Sequence, residues 1–325
     1  VEKLQTQQAV CLFAEHGKKA DESPRIISTG RAWTYLLIAD GCDNFCSYCL
    51  IPKIRGRFRS REKESILAEA KALAERGYKE LILVAQDLTH YGYDLYGKTE
   101  LSDLLRKLCE IDGIEWIRLH YLYPQEIDEE LIKTVKEEKK IVKYLDIPIQ
   151  HINDTVLKKC NRRDTGAKIR ELFSQIREEI PNVVLRTSLI AGLPGEGEEE
   201  FEELCEFLRE YKIERAGVFT FSPQDGTPAA KMEYVSEDTA RLRANIVMDI
   251  QAEIMDSWES SLIGKVIDVI CESNADVNGN HHGRAYFDSP EVDGSVLFTG
   301  ACSEGEIVKI KVTSAEDGQL RGKMI

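Results

Sequence analysis

The run WTYLLIADGCDNFCSYCLIP (residues 33–52) decides how this chain reads. It opens as a continuous apolar, β-branched and aromatic stretch, the pattern of a strand buried on both faces. It closes on three cysteines spaced C-x3-C-x2-C, namely Cys42, Cys46 and Cys49. Thiolates at that spacing can hold three irons of a 4Fe-4S cluster and leave the fourth iron without a protein ligand. A structural zinc site would call for a second Cys/His pair of matching spacing, and the sequence offers none. Chance packing is equally ill-suited to three of the nine cysteines falling in one short loop beside Gly41 and Pro52. The other six, Cys11, Cys109, Cys160, Cys205, Cys271 and Cys302, stand singly and read as packing residues.

Outward from that loop the pattern repeats. Apolar runs at 33–40, 79–86, 114–121, 143–150, 183–190 and 215–221 predict strands, and amphipathic stretches near 62–76, 100–110, 126–139, 165–179, 198–211 and 236–261 predict helices. Six consecutive βα units imply parallel strands covered by helices, hence an α/β fold with a partial (β/α)6 TIM-like barrel over residues 32–261. The active site of such a barrel lies at the C-terminal ends of the strands. The cysteine loop, Gln86-Asp87, His120-Tyr121, Gln150-His151 and GLPGE (192–196) all follow strands, so five segments converge on one mouth. After Leu262 the texture changes to short strand-like pieces at 264–272, 283–289, 294–300, 305–315 and 321–325, separated by Gly, Asn and Asp turns, which predicts a small antiparallel β-barrel over 262–325. Residues 1–31 are polar and weakly patterned and read as a linker.

An iron with an open coordination position can chelate the amino and carboxylate groups of S-adenosylmethionine (SAM). One electron then breaks its sulfonium C–S bond to give a 5'-deoxyadenosyl radical. Around such a cofactor Tyr48 either sets an aromatic edge beside the adenine or packs the loop. Arg186 either reaches the methionine carboxylate or pairs with a neighbouring acid. Gln86, Gln150 and Ser188 are candidate hydrogen-bond partners or barrel-lining residues, and Gly192 opens a turn whose free amides suit close approach by adenine or ribose. The alternating basic run Lys53, Arg55, Arg57, Arg59 and Arg61 is either a positive collar at the mouth or a loop paired with the acidic helix after it.

At 325 residues the chain has room for one large and one small domain. No apolar stretch reaches transmembrane length and no secretory leader is visible, so a cytoplasmic protein is expected; free cysteines and an oxygen-sensitive cluster agree with a reducing compartment. A net charge of -14 disfavours general binding to nucleic acid and favours a basic partner. Residues 263–325 hold ten Asp/Glu against six Lys/Arg, an acidic balance that makes tRNA an unfavourable partner.

Over nearly its whole length the chain resembles the radical SAM methylthiotransferases. GCDNFCSYCLIPKIRGRFRSR looks like that family's cluster loop, LRTSLIAGLPGE like its adenosine-binding strand and turn, and the C-terminal barrel like its TRAM domain. YLDIPIQH (144–151), FSPQDGTPAA (221–230) and YFDSPEVDG (286–294) look like the branch that methylthiolates the β-carbon of an aspartate in ribosomal protein twelve of the small subunit. Relatives acting on a tRNA adenosine, the alternative reading, typically carry P-x-Q-S-G where this chain has PIQH. The resemblance implies one 4Fe-4S cluster on Cys42, Cys46 and Cys49, SAM, and an electron donor such as flavodoxin or ferredoxin. It also implies an N-terminal domain with three more cysteines for a second 4Fe-4S cluster; residues 1–31 hold only Cys11, so the chain looks truncated. A reading of another class is a binding module with a merely structural cluster, which would not cleave SAM.

Overall fold

A computed structural model describes residues 26–316 and 318–325, so most of the expected linker, with Cys11, lies outside the described residues. Six strands follow the apolar runs: β1 (Trp33–Leu37), β2 (Glu80–Val84), β3 (Trp116–Leu119), β4 (Ile141–Asp146), β5 (Val184–Ala191) and β6 (Arg215–Thr220). They form one sheet in sequence order with every neighbouring pair parallel. Helices α1 (Lys63–Glu75), α2 (Leu101–Cys109), α3 (Glu129–Glu137), α4 (Gly166–Glu179) and α5 (Glu198–Tyr211) make the crossovers, and α6 (Glu237–Ser260) follows β6. Several start where a short polar side chain satisfies a free backbone N–H. Asp128 accepts from Leu131, Thr165 from Lys168 and Ser236 from Thr239.

The two-residue period of the strands sorts their side chains between two cores. Leu81, Leu83, Ile117, Leu119, Leu145 and Leu185 point to the helices and bury Ile66, Leu104, Val135, Phe173 and Leu204. Trp33, Ile82, Trp116, Tyr144 and Val184 point the other way and pack against Ile267, Phe287 and Phe298 of the C-terminal part.

That part is a closed five-stranded barrel of β7 (Val266–Cys271), β8 (Asn280–Ala285), β9 (Ser295–Thr299), β10 (Ile307–Glu316) and β11 (Gln319–Met324), in the order β8-β9-β11-β10-β7. Two details differ from the sequence expectation. The β9–β11 pair is parallel while the other four are antiparallel. The strand expected over 283–289 stops at Ala285, and the segment after it turns into the inner face of the large sheet instead of continuing the ladder.

Charged groups make that insertion specific. Glu80 on β2 is fully buried, with Arg118 Nε 2.7 Å away and Arg284 paired to its other oxygen. Arg118 also donates to the Tyr286 carbonyl at 2.9 Å, and Arg284 to the Asp288 carbonyl at 2.7 Å. Arg215 donates to Asp288 and to Glu259 of α6, each at 2.7 Å. Tyr144 donates to Asp293 at 2.6 Å, and the Ser289 hydroxyl lies 3.0 Å from His120 Nε2. Burial, helped by Arg118 and Arg186, lowers the His120 pKa to about 3, so this ring is neutral and belongs to the domain contact. Three of the barrel's acids, Glu272, Asp288 and Asp293, thus face arginines of the interior, and the solvent-facing surface is less acidic than its composition.

Candidate cofactor site

The cysteine loop leaves β1 through Gly41, whose positive φ of 79° and surroundings exclude a side chain: an added Cβ would sit 2.2 Å from the Arg57 carbonyl oxygen. Gly41→Ala is therefore expected to displace the loop and cut iron uptake severalfold, measured as iron per chain after anaerobic reconstitution; uptake equal to that of the parent would show the loop to be adaptable. The loop is pinned from several sides. Ser47 donates its N–H to the Cys160 carbonyl and accepts from Ala229, both at 2.9 Å, and Asn44 donates to Asp87 at 2.8 Å.

These ties hold Cys42, Cys46 and Cys49 as half-buried free thiols on the wall of a cleft of about 430 Å³ at the C-terminal ends of the strands. Gln86, Gln150, Arg186, Ser188 and Tyr48 line the same cleft, which is the convergence the strand order predicts. Gln150 reaches it in a left-handed conformation, φ 68°, while its N–H and C=O bridge to Ser188 and Ile190 at 2.9 Å each. Arg186 takes the pairing role. Its Nη1 donates to Asp146 at 3.0 Å and its Nε lies 3.6 Å from Asp293, while the side chain still lines the cleft.

The lining suits a 4Fe-4S cluster with SAM, since three free thiols stand together on one wall of the cleft. Burial pushes the Cys42 thiol up to about 11 and raises Cys49, so these two would give up their protons on taking a metal. The buried Gln86 Oε1 has no hydrogen-bond partner among the described residues, and Gln86 lines a cleft of the size that encloses a small molecule.

Gly192 is placed otherwise. Its N–H is taken by both oxygens of Glu196 at 2.9 Å, and an added Cβ would meet Ala240 of α6 at 2.4 Å. It makes a turn beneath α6 and does not line the cleft. The basic run divides: Arg59 pairs with Asp40 at 2.9 Å and Arg61 with Glu69 of α1 at 2.6 Å, whereas Arg55 and Arg57 are exposed, Arg57 holding Asp43 at 2.8 Å and Arg55 lying 4.0 Å from Asp40. Of the four arginines, these two resemble a collar.

Tyr121, expected at the mouth, lines the cleft, and sequence reasoning missed Tyr123, Arg162 and Phe219, which line it too. Arg162 is buried, donates to the Pro148 carbonyl at 3.0 Å and lies 4.6 Å over the Tyr123 ring. It follows a short helix (Asp154–Lys159) on a loop with no pattern of its own, so only the fold shows where it points.

The radical SAM superfamily model matches residues 36–208 and the TRAM domain model residues 263–325. The ribosomal protein uS12 methylthiotransferase RimO of Acetivibrio thermocellus is 47% identical over 93% of this chain and 67% of its own length. The protein of that name from Alkaliphilus oremlandii is 45% identical over 96% of this chain and 73% of its own. The chain thus spans about two thirds to three quarters of the length of these relatives. Among solved structures, the radical SAM coproporphyrinogen III oxidase HemN from Escherichia coli aligns with a TM-score of 0.52 at 18% identity, covering 69% of this chain and 53% of that one, a likeness of fold.

Proposed function

Because the chain belongs to the radical SAM superfamily and, within it, to the RimO methylthiotransferases, we propose that it supplies the SAM-cleaving and target-binding parts of an activity that methylthiolates the β-carbon of an aspartate in ribosomal protein uS12. The observation that carries this reading is the single cleft into which Cys42, Cys46, Cys49, Gln86, Gln150, Arg186 and Ser188 all open. A 4Fe-4S cluster on the three thiolates supplies, when bound, the electron that cleaves SAM.

The chain's own residues bind and orient. Arg186, held by Asp146 and Asp293, offers a fixed cation to the methionine carboxylate. Gln86 and Gln150 present amides, and Ser188 a hydroxyl, to the polar atoms of the cofactor, while Tyr48 sets a ring edge on the cleft wall. Tyr121 is half-exposed at the rim and Phe219 more so, which suits contact with an incoming protein segment. Arg55 and Arg57 give that segment's carboxylate a positive entrance. An overall charge of -14 attracts a basic ribosomal protein and repels the phosphates of tRNA. Electrons would come from a flavodoxin or ferredoxin in a reducing cytoplasm, where eight free cysteines among the described residues can persist. None of the described helices is long and apolar enough to cross a membrane.

The test separates two activities. Cleaving SAM needs the three-cysteine loop and the cleft, and no second run of closely spaced cysteines occurs in the 325 residues to hold the further cluster that the family resemblance ties to sulfur insertion. This polypeptide, reconstituted with iron and sulfide and reduced with dithionite, is expected to convert SAM to 5'-deoxyadenosine and to leave uS12 at its original mass. No 5'-deoxyadenosine at all would remove the enzymatic reading. A methylthio gain on uS12 would show that one cluster is enough.

A further inference from the structure

Away from the cleft, the C-terminal barrel gathers a second set of soft donors. Cys271 at the end of β7, His281 in β8 and Cys302 after β9 bring two thiols and an imidazole nitrogen to within 4.8 Å of one another. Cys271 Sγ lies 3.5 Å from His281 Nδ1 and 3.3 Å from Cys302 Sγ. Both cysteines read as packing residues in the sequence because they stand alone there, 31 positions apart. Barrel closure joins them. Gly283 pairs with Cys271 in the β7–β8 ladder, so His281, two residues away, shares its face, and the chain leaving β9 returns Cys302 to the same end.

We propose that this trio is a binding site for a zinc-class divalent cation, held by two thiolates and one imidazole nitrogen. Two sulfurs and an imidazole are a donor set that zinc accepts and that magnesium or calcium, which seek oxygen, do not. Charge favours the same ion: two thiolates, a neutral imidazole and a divalent cation sum to zero, so occupation puts no net charge into an interior where Cys271 and His281 are buried. The imidazole is already oriented. Phe298 stacks on it with ring centroids 5.4 Å apart, while the Ser273 carbonyl, 3.0 Å from Nδ1 and 3.2 Å from Cys271 Sγ, marks contacts that these two atoms exchange for the ion on binding. Cys302 is only half-buried, which gives the ion an entry and leaves its fourth position open to water. Occupation would tie the Cys302 loop to β7 and β8 and raise the stability of the small barrel.

The test uses the 325-residue chain with Cys42, Cys46 and Cys49 changed to alanine, so that the iron-site thiols cannot compete. It is titrated with Co2+ under anaerobic, reducing conditions, because cobalt reports thiolate ligation as a charge-transfer band. Expected are about one Co2+ per chain, its displacement by Zn2+, and a higher Tm with either ion. Cys302→Ser, at the half-buried position, should weaken uptake at least about tenfold, since losing a ligand costs no less than losing an outer-shell partner. His281→Asn should do the same, and circular dichroism of the metal-free variants checks that they remain folded. Absence of stoichiometric uptake, or uptake unchanged in both variants, would overturn the site. So would a Cys271–Cys302 disulfide, mapped by mass spectrometry, in a protein that after reduction still takes up no metal.

Discussion

Alanine at Cys42, Cys46 or Cys49 is expected to reduce dithionite-driven 5'-deoxyadenosine formation to the level of enzyme-free controls. The reason is stoichiometric. Three thiolates are the entire protein ligation of a cluster that must keep one iron free, so losing one leaves two irons open and the cluster labile. Iron and acid-labile sulfide should fall together in each variant. Cys109, half-buried in α2 on the outer side of the sheet, supplies the control: its alanine variant should retain cluster and cleavage. A cysteine-loop variant that still binds about four irons and turns SAM over would mean that another residue of the cleft serves as ligand.

The second large effect lies far from the iron. Glu80→Gln is expected to lower the unfolding free energy by about 3–5 kcal/mol, because it leaves Arg118 and Arg284 buried with their shared counter-charge gone. Replacing all three with apolar residues of similar volume should cost far less, since the desolvation of the whole set disappears with it. Chemical denaturation of both variants decides between them. A Glu80→Gln loss below about 1 kcal/mol would show that water reaches the network. The acid side carries the same signature. Burial raises the Glu80 carboxyl, but Arg284 and Arg118 outweigh it and hold it at about 2. Its contribution to stability is therefore complete above the ordinary carboxylate range and is lost as pH falls through that range toward 2.

Much of this architecture is legible in the chain because local chemistry dictates it. The strand runs are apolar on both faces and the helices amphipathic, which forces a parallel sheet. The spacing of Cys42, Cys46 and Cys49 is self-contained within one loop. What escapes is pairing at a distance. Glu80, Arg118, Asp146, Arg186 and Arg215 are visible in the sequence as charges inside otherwise apolar strands, but Arg284, Asp288 and Asp293 lie up to 204 residues away and carry no local mark as their partners. YFDS (286–289) read as strand for the same reason: its alternation is genuine, and what the two sides of the segment face is decided by another part of the molecule. Gly192 shows the converse, a turn residue whose proper context is Ala240 of a helix that closes the fold much later.

The segment that descends from the small barrel into the large sheet limits how this protein can be recombined. A barrel transplanted from a relative would have to bring its own equivalents of Arg284, Asp288 and Asp293, or Arg186 and Arg215 would each lose one of two acidic partners and Glu80 one of its two arginines. Because Asp293 also touches Arg186, a graft that fits imperfectly should register as weaker SAM binding before it registers as altered target choice. Exchange of recognition modules among such enzymes is thus a problem of matching interiors, and the seam for cutting lies in the charge pairs rather than at the residue where one sequence family gives way to the next.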